Sequence, residues 1–540
     1  MTSQHVLATP PSKDAILNSL LEDVRAYNAH RPPHAGLREC DLYAEMPLLL
    51  NLPGAPLACR ETPAEFEAVN AHFSARVHAF FDALRDLEDM SSKGSPDADG
   101  PGLIRRGDGL WAAVRIVNQS FDIYPDCLHR TFHTRRLSVR DPDGLPRLNR
   151  VTRLRVLSEP DFSSSEPDVD AAHMRPVCPR VPLELAARLP HLGELDCPWL
   201  WERFPVAFSS RALRGYARVW EGPWRDARAD FGRGVRRVAP SLPSSLTKVR
   251  LWFWKPDPRG DDVDQAAPMP DLVNVGASST SEFDGMDPVS LGLRILGSRL
   301  ERLDVRALIT PDLFRSGPGG DGARDASSSW PRMRHLKVEF HPCSPDGSWY
   351  FSGPRGEDPH AAGFAVTREE HYPPGREDVE ETHALWSRDE DEYTGDGEPS
   401  DARRPDMFRT LPVAERINAL LMAFASSLHR QRMPCLRDAE LFTWLTWRPS
   451  EERAREYEGS DDAPPSDGDE TVMFRWGVRY EAPRGGGGRG KVTWRVGEDW
   501  RPVDKVIRAF EDLVGGDEAN TEWKAFEFVG KRKQDLEVFL

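Results

Sequence analysis

One spacing recurs along this chain from about residue 150 and restricts its fold more than any other feature. It is apolar-x-x-apolar-x-apolar. It occurs at Val151/Leu154/Val156, Leu192/Leu195/Cys197 and Leu246/Val249/Leu251, then at Leu300/Leu303/Val305 and Met333/Leu336/Val338. A weaker copy is Leu436/Ala439/Leu441, and Phe253 and Phe340 extend two of the others. Alternation at the end of each unit predicts a short strand with one buried face.

Helical patterns precede several copies: VPLELAARL (181–189), PVSLGLRIL (288–296) and INALLMAFASSL (417–428). Helix then strand, repeated, is the pattern of a leucine-rich-repeat solenoid, in which strands stack side by side beneath a coat of helices. Regular repeats of that class run about 20–29 residues. The central positions Leu154, Leu195, Val249, Leu303, Leu336 and Ala439 are instead 33 to 103 residues apart. The expected fold is therefore α/β, an irregular leucine-rich-repeat-like solenoid. An ordinary α/β domain with similar strands is the alternative.

Composition fits such an object. The 540 residues include 41 glycines and 47 prolines, which implies many loops. Segments 91–102, 256–287, 353–406 and 450–470 are Pro/Gly/Ser-rich or acidic and poor in aliphatics, so disorder is expected there. The reading assigns 1–36 to an N-terminal helical segment, with its helix at 13–27, and 37–540 to the repeat-like domain. Thr62, Pro63 and Glu65 signal another helix start, followed by Phe66, Val69, Phe73, Val77, Phe80, Phe81 and Leu84 on one face. LWAAVRIV (110–117) reads as a buried strand.

The stretch APRGGGGRGKVTW (482–494) has the Gly485/Gly490/Lys491 spacing of a phosphate-binding loop. Val492, however, stands where Ser or Thr must hold magnesium. Period-two alternation on both sides (Val472, Phe474, Trp476, Val478, Tyr480; then Val492, Trp494, Val496) predicts a β-hairpin with a glycine tip. A helix follows, with Val503, Val506, Ile507, Phe510 and Leu513 on one face, stopped by Gly515-Gly516. The C-terminal WKAFEFVGKRKQDLEVFL reads as further helix or strand.

No motif signals catalysis. G-x-S-x-G and H-E-x-x-H are absent from the sequence. His360, His371 and His383 stand among Glu369, Glu370, Glu380 and Glu381 in a segment expected to be flexible, a poor support for ligand geometry. His129 and His133, beside Cys127, have helical i, i+4 spacing, read as ordinary polar and core histidines. The seven cysteines lack C-x-x-C spacing, which fits neither a zinc module nor a disulfide framework. A reducing intracellular location, cytoplasmic or nuclear, follows as the expectation. The net charge of −16 disfavours nucleic acid, and no apolar stretch reaches membrane-spanning length. No cofactor or metal is expected. SPDGSWYF (344–351) places Trp349, Tyr350 and Phe351 after turn chemistry; they either cap the core or anchor a protein partner.

Taken in order, ARLPHLGEL (187–195), LGSRLERLDV (296–305), WPRMRHLKVEF with SPDGSWYF (330–351), MPCLRDAELFTW (433–444), the aromatic hairpin and WRPVDKVIRAFEDL (500–513) resemble a family of filamentous-fungal F-box-like proteins. The likeness spans roughly 37–514. It implies a leucine-rich-repeat-like domain that selects substrates for a cullin ubiquitin ligase, docked through an F-box on the Skp adaptor. Residues 1–36 depart from that pattern: they offer one helix and no Leu-Pro opening, so no adaptor-contact residues carry over. The expected function is a non-catalytic protein-interaction module, with an orphan structural or interaction role as the alternative.

Overall fold

The computed structural model describes residues 12–20, 38–46, 62–93, 109–117, 135–157, 175–198, 202, 218–254, 263–274, 283, 285–315, 330–373, 405–462, 472–483, 490–497, 500–515, 520–525 and 527–529. The protein is a mixed α/β structure dominated by mostly parallel strands. It divides into two compact units, where the sequence leads one to expect a single domain over 37–540. One comprises Met1–Glu202, Arg237–Arg250 and Pro373–Arg388; the other comprises Arg203–Arg236, Leu251–Tyr372 and Asp389–Leu540. Two of the cuts, after Arg236 and Arg250, fall inside a helix and a strand, where no shift of composition marks them.

In the first unit, β1 (Arg38–Glu45), β2 (Leu110–Val117), β3 (Val151–Leu157) and β4 (Glu194–Cys197) lie parallel in chain order. Helix α1 (Pro63–Lys93) crosses between the first two, as a parallel pair requires. Its start is a reciprocal capping box: Thr62 N–H donates to Glu65 at 2.7 Å, and Glu65 N–H donates to Thr62 Oγ1 at 3.2 Å. Val69, Phe73, Val77, Phe80, Phe81, Leu84 and Leu87 are buried along one side. The short helix α2 (Val181–Ala186) leads into β4. Helix α3 (Glu221–Val238), assigned to the second unit up to Arg236, and strand β5 (Lys248–Trp252), assigned to the first up to Arg250, follow in the chain.

In the second unit, α4 (Pro288–Gly297) precedes β6 (Arg302–Ala307), which pairs in parallel with β7 (His335–Phe340). Asp287 caps α4 by accepting from Ser290 N–H at 2.8 Å, and the buried Arg228 guanidinium grips the same carboxylate at 2.8 Å. Helix α5 (Ala414–Ser427) leads to β8 (Asp438–Trp447), parallel to β7. The short α6 (Glu451–Glu456) follows β8. Then β9 (Val472–Glu481) and β10 (Lys491–Arg495) form the aromatic hairpin, antiparallel as expected. Helix α7 (Asp504–Leu513) comes next and stops at Gly515, which takes a left-handed φ of 90°. Its Val506 and Phe510 are buried, whereas Val503 precedes the first turn and is exposed. The undecided C-terminal stretch begins as strand, in β11 (Thr521–Lys524) and β12 (Glu527–Val529); residues 530–540 lie outside the described residues.

The recurring spacing lands on these strands in register. Leu154 pairs with Leu195 in the first unit; in the second, Leu303 pairs with Leu336, and Leu336 with Ala439. A tight turn opens five of the six rungs. Leu192 N–H donates to Leu189 C=O, Leu246 to Pro243, Leu300 to Gly297, Met333 to Trp330 and Leu436 to Met433. The next carbonyl along each chain accepts two N–H groups of the following rung: Gly193 from Thr247 and Lys248, Glu301 from Arg334 and His335, Arg334 from Arg437 and Asp438.

Several segments expected to lack order carry structure. Residues 91–93 finish α1; 263–274, 283, 285–287, 353–373, 405–406 and 450–462 are loop, turns, short pairings and the helix α6. The rest of those segments, and residues 21–36, lie outside the described residues. The reason is a few well-placed anchors. Val263, Gln265, Met269 and Leu272 are buried, and Pro270–Asp271 pairs with Phe364–Ala365. Low average hydrophobicity hid them.

Gly477 on β9 faces Phe442 on β8, and a Cβ there would lie 2.7 Å from Phe442 Cα and closer still to Leu441 O. Because the obstruction is backbone, Gly477→Ala is expected to destabilise the protein by about 1–3 kcal/mol. Thr62→Ala should cost about 1 kcal/mol through loss of the cap. Urea-unfolding midpoints check both; an unchanged midpoint for Gly477→Ala would refute the close-approach argument.

Candidate functional site

The residues between the buried positions of each rung form a polar strand face. In the second unit, register aligns them into rows. Arg302, His335 and Asp438 form one; Asp304, Lys337, Glu440 and Arg479 a second; Arg306, Glu339 and Phe442 a third. The second row alternates in sign across four strands, and opposite charges facing across strands stabilise pairing. Glu339 receives Arg306 at 2.9 Å, Asp438 meets His335 Nδ1 at 2.6 Å, and Glu440 receives Arg475 at 2.7 Å. Aromatic rings hold the cations flat: Arg306 lies over Trp252 at 4.6 Å, and Arg475 over Phe442 at 4.0 Å. Trp252 Nε1–H in turn donates to Asp304 at 3.0 Å.

The first unit has its own polar face. Arg153 pairs with Glu194 at 3.0 Å and lies 4.1 Å over the Trp111 ring. Asp196 collects Arg155 at 3.3 Å and Arg250 through two nitrogens, one at 2.8 Å. Further along, Arg115 reaches Asp41 at 3.2 Å.

The residues singled out as partner anchors are elsewhere. Trp349, Tyr350 and Phe351 are 0, 3 and 0 % exposed, inside the second unit's core. Phe351 and Phe340 pack on Trp476, and Tyr350 O–H donates to Ile309 C=O at 2.8 Å. They present no surface to a partner. The Pro-Asp-Gly turn before them, between β7 and the buried triplet, folds the aromatics back over the core. Beneath lies a buried hub: Arg409 donates to Gln265 C=O and Phe351 C=O, each at 3.0 Å, and pairs with Asp358, which also receives Arg416.

The remaining candidates carry no assembled chemistry. His371 Nδ1 accepts from Thr367 N–H at 3.0 Å and stacks on Phe364, while His360 is exposed; His383, Cys127, His129 and His133 lie outside the described residues. Lys491 pairs with Glu522 at 2.8 Å on a strand, not at a helix start. Burial pushes the thiols of Cys197 and Cys343 and the Tyr350 phenol above their ordinary values, which makes poor nucleophiles of them. Among the described residues, no group of three or more His, Cys, Asp or Glu side chains could hold a metal, and no helix is long and apolar enough to cross a membrane.

The charged strand-face residues were missed from sequence. The signal that could have found them lies within the repeat itself: the last x of each copy, between its second and third apolar residues, is Arg155, Asp196, Arg250, Asp304, Lys337 and Glu440, a run of charges at fixed phase. Compared with family models, with curated proteins and with solved structures, the chain matches none.

In native protein, iodoacetamide should modify the exposed Cys435 and spare the buried Cys178, Cys197 and Cys343. Peptide mass spectrometry before and after unfolding reads the difference. Native labelling of Cys343 would contradict its burial.

Proposed function

We propose that this chain is a non-catalytic protein-interaction module, built as an irregular leucine-rich-repeat-like stack of helix–strand units. Its partner would sit on the polar strand face of the second unit. The observation that carries this reading is the row Asp304, Lys337, Glu440 and Arg479, fixed by strand register. Fixed alternating charges discriminate between partners, because a mismatched charge is penalised as strongly as a matched one is rewarded. Arginine and aromatic side chains, stacked here as Arg306 on Trp252 and Arg475 on Phe442, are the types that dominate binding hot spots.

The substrate-receptor role in a cullin ubiquitin ligase is one form of this function. It also requires an adaptor-binding F-box; the orphan interaction role requires none.

Affinity capture of the full chain under mild lysis, with quantitative mass spectrometry, tests the proposal. At least one protein recovered by wild type should drop by about tenfold or more with the double variant Lys337→Glu/Arg479→Glu, as expected for reversed interfacial charges. It should persist with Glu415→Lys, an exposed control on α5. Equal recovery by all three, or no protein partner at all, overturns the reading. The Skp adaptor's presence or absence separates the two forms.

A further inference from the structure

We propose that β11 is a self-association edge: two copies of this chain join by antiparallel pairing of Thr521–Lys524 with itself, centred on Trp523. The surface is separate from the charged strand face and does not depend on how that face is used.

Strand β11 ends the strand order. It pairs in parallel with β10 on one side, and among the described residues no strand pairs with its other side. A terminal strand carries a row of backbone donors and acceptors that a further strand can take up. In a two-fold dimer each copy offers the same segment, and the two strands then run antiparallel across the axis.

The side chains choose both the occupant and the register. Glu522 and Lys524, two residues apart, share one face of the strand, and Trp523 lies on the other. Pairing about Trp523 sets Glu522 opposite the second copy's Lys524, once on each side of the axis, and sets the two Trp523 rings opposite each other. Pairing about Glu522 or about Lys524 would oppose like charges. Opposite charges and aromatic pairs stabilise an antiparallel pairing, whereas like charges destabilise it. A lone lysine on an edge strand discourages further pairing. A glutamate two residues before it makes the same edge its own complement.

The residues are placed for this. The Glu522 and Lys524 side chains are 40 and 45 % exposed and stand 3.8 Å apart on their own strand. Glu522 also receives Lys491 at 2.8 Å and lies 3.5 Å from the Thr493 hydroxyl, contacts that hold it at the edge. Half-buried Trp523 stacks on Trp494 at 5.3 Å, with Arg501 4.5 Å over its ring, so the centre of the pairing is ordered before association. The edge is four residues long, about 13 Å, which places the dimer in the weak, concentration-dependent class.

Sedimentation velocity of the full chain from low to high micromolar concentration tests this. Wild type should shift toward the dimer as concentration rises. Glu522→Lys and Lys524→Glu, each alone, should weaken association by roughly tenfold or more, because each sets like charges opposite one another on both sides of the axis. An equimolar mixture of the two variants should associate like wild type, since one chain then presents two lysines along the edge and the other two glutamates. Hydrogen exchange of wild type supplies a reading that needs no variant: protection of the 521–524 amides should grow with concentration. If a variant fails to fold, that reading decides alone. A wild type that stays monomeric, folded single variants that associate like wild type, a mixture of folded variants no better than its components, or concentration-dependent protection confined to other segments overturns the assignment.

Discussion

The backbone carbonyl just after the first apolar residue of each rung governs the rest of the structure. At Gly193, Glu301 and Arg334 it accepts two N–H groups from the start of the next strand. The tight turn before it aims the chain, and the shared carbonyl fixes where the neighbour begins. A slip of one residue would turn Leu303 or Leu336 to the outside and its charged neighbour to the core. Hydrophobic burial and this repeated contact therefore specify the same register, which is the consistency a unique fold needs.

Register has a second product. Once the apolar positions align inside, the positions between them must align outside. Isolated charges in the sequence become rows, and the rows become ion pairs between strands: Arg306 with Glu339, Arg153 with Glu194, Arg250 with Asp196. Long arginine stems then lie over aromatic neighbours, so the face is ordered before anything binds to it. Each pair taken alone contributes little to stability in water. Its value is positional, since it holds the guanidinium in one place on the strand face.

The irregular segments follow a different logic. They are tied in by polar hubs as well as by a few buried apolar anchors such as Val263, Met269 and Leu272. Arg409 links the segment at 265 to those at 351 and 358 through carbonyl and carboxylate acceptors. Arg453 pairs with Asp406 at 2.9 Å and lies 3.5 Å over Phe408. A buried arginine with every donor engaged can order a sequence whose composition reads as loop, because leaving the group unpaired would cost several kcal/mol.

The sequence by itself determined most of the strands (not β1 or the C-terminal β11 and β12), the helices that precede several of them, the capping box at Thr62 and Glu65, and the hairpin around the glycine run. Each depends on contacts a few residues apart or on a local period, so composition and spacing suffice. Only the tertiary structure decided which strands are neighbours across gaps of 33 to 103 residues, that Trp349, Tyr350 and Phe351 point inward, and which outward charges meet. Those outcomes depend on pairing between distant segments. An aromatic after a turn, or a charge between two leucines, has the same local signature whichever neighbour it finally meets.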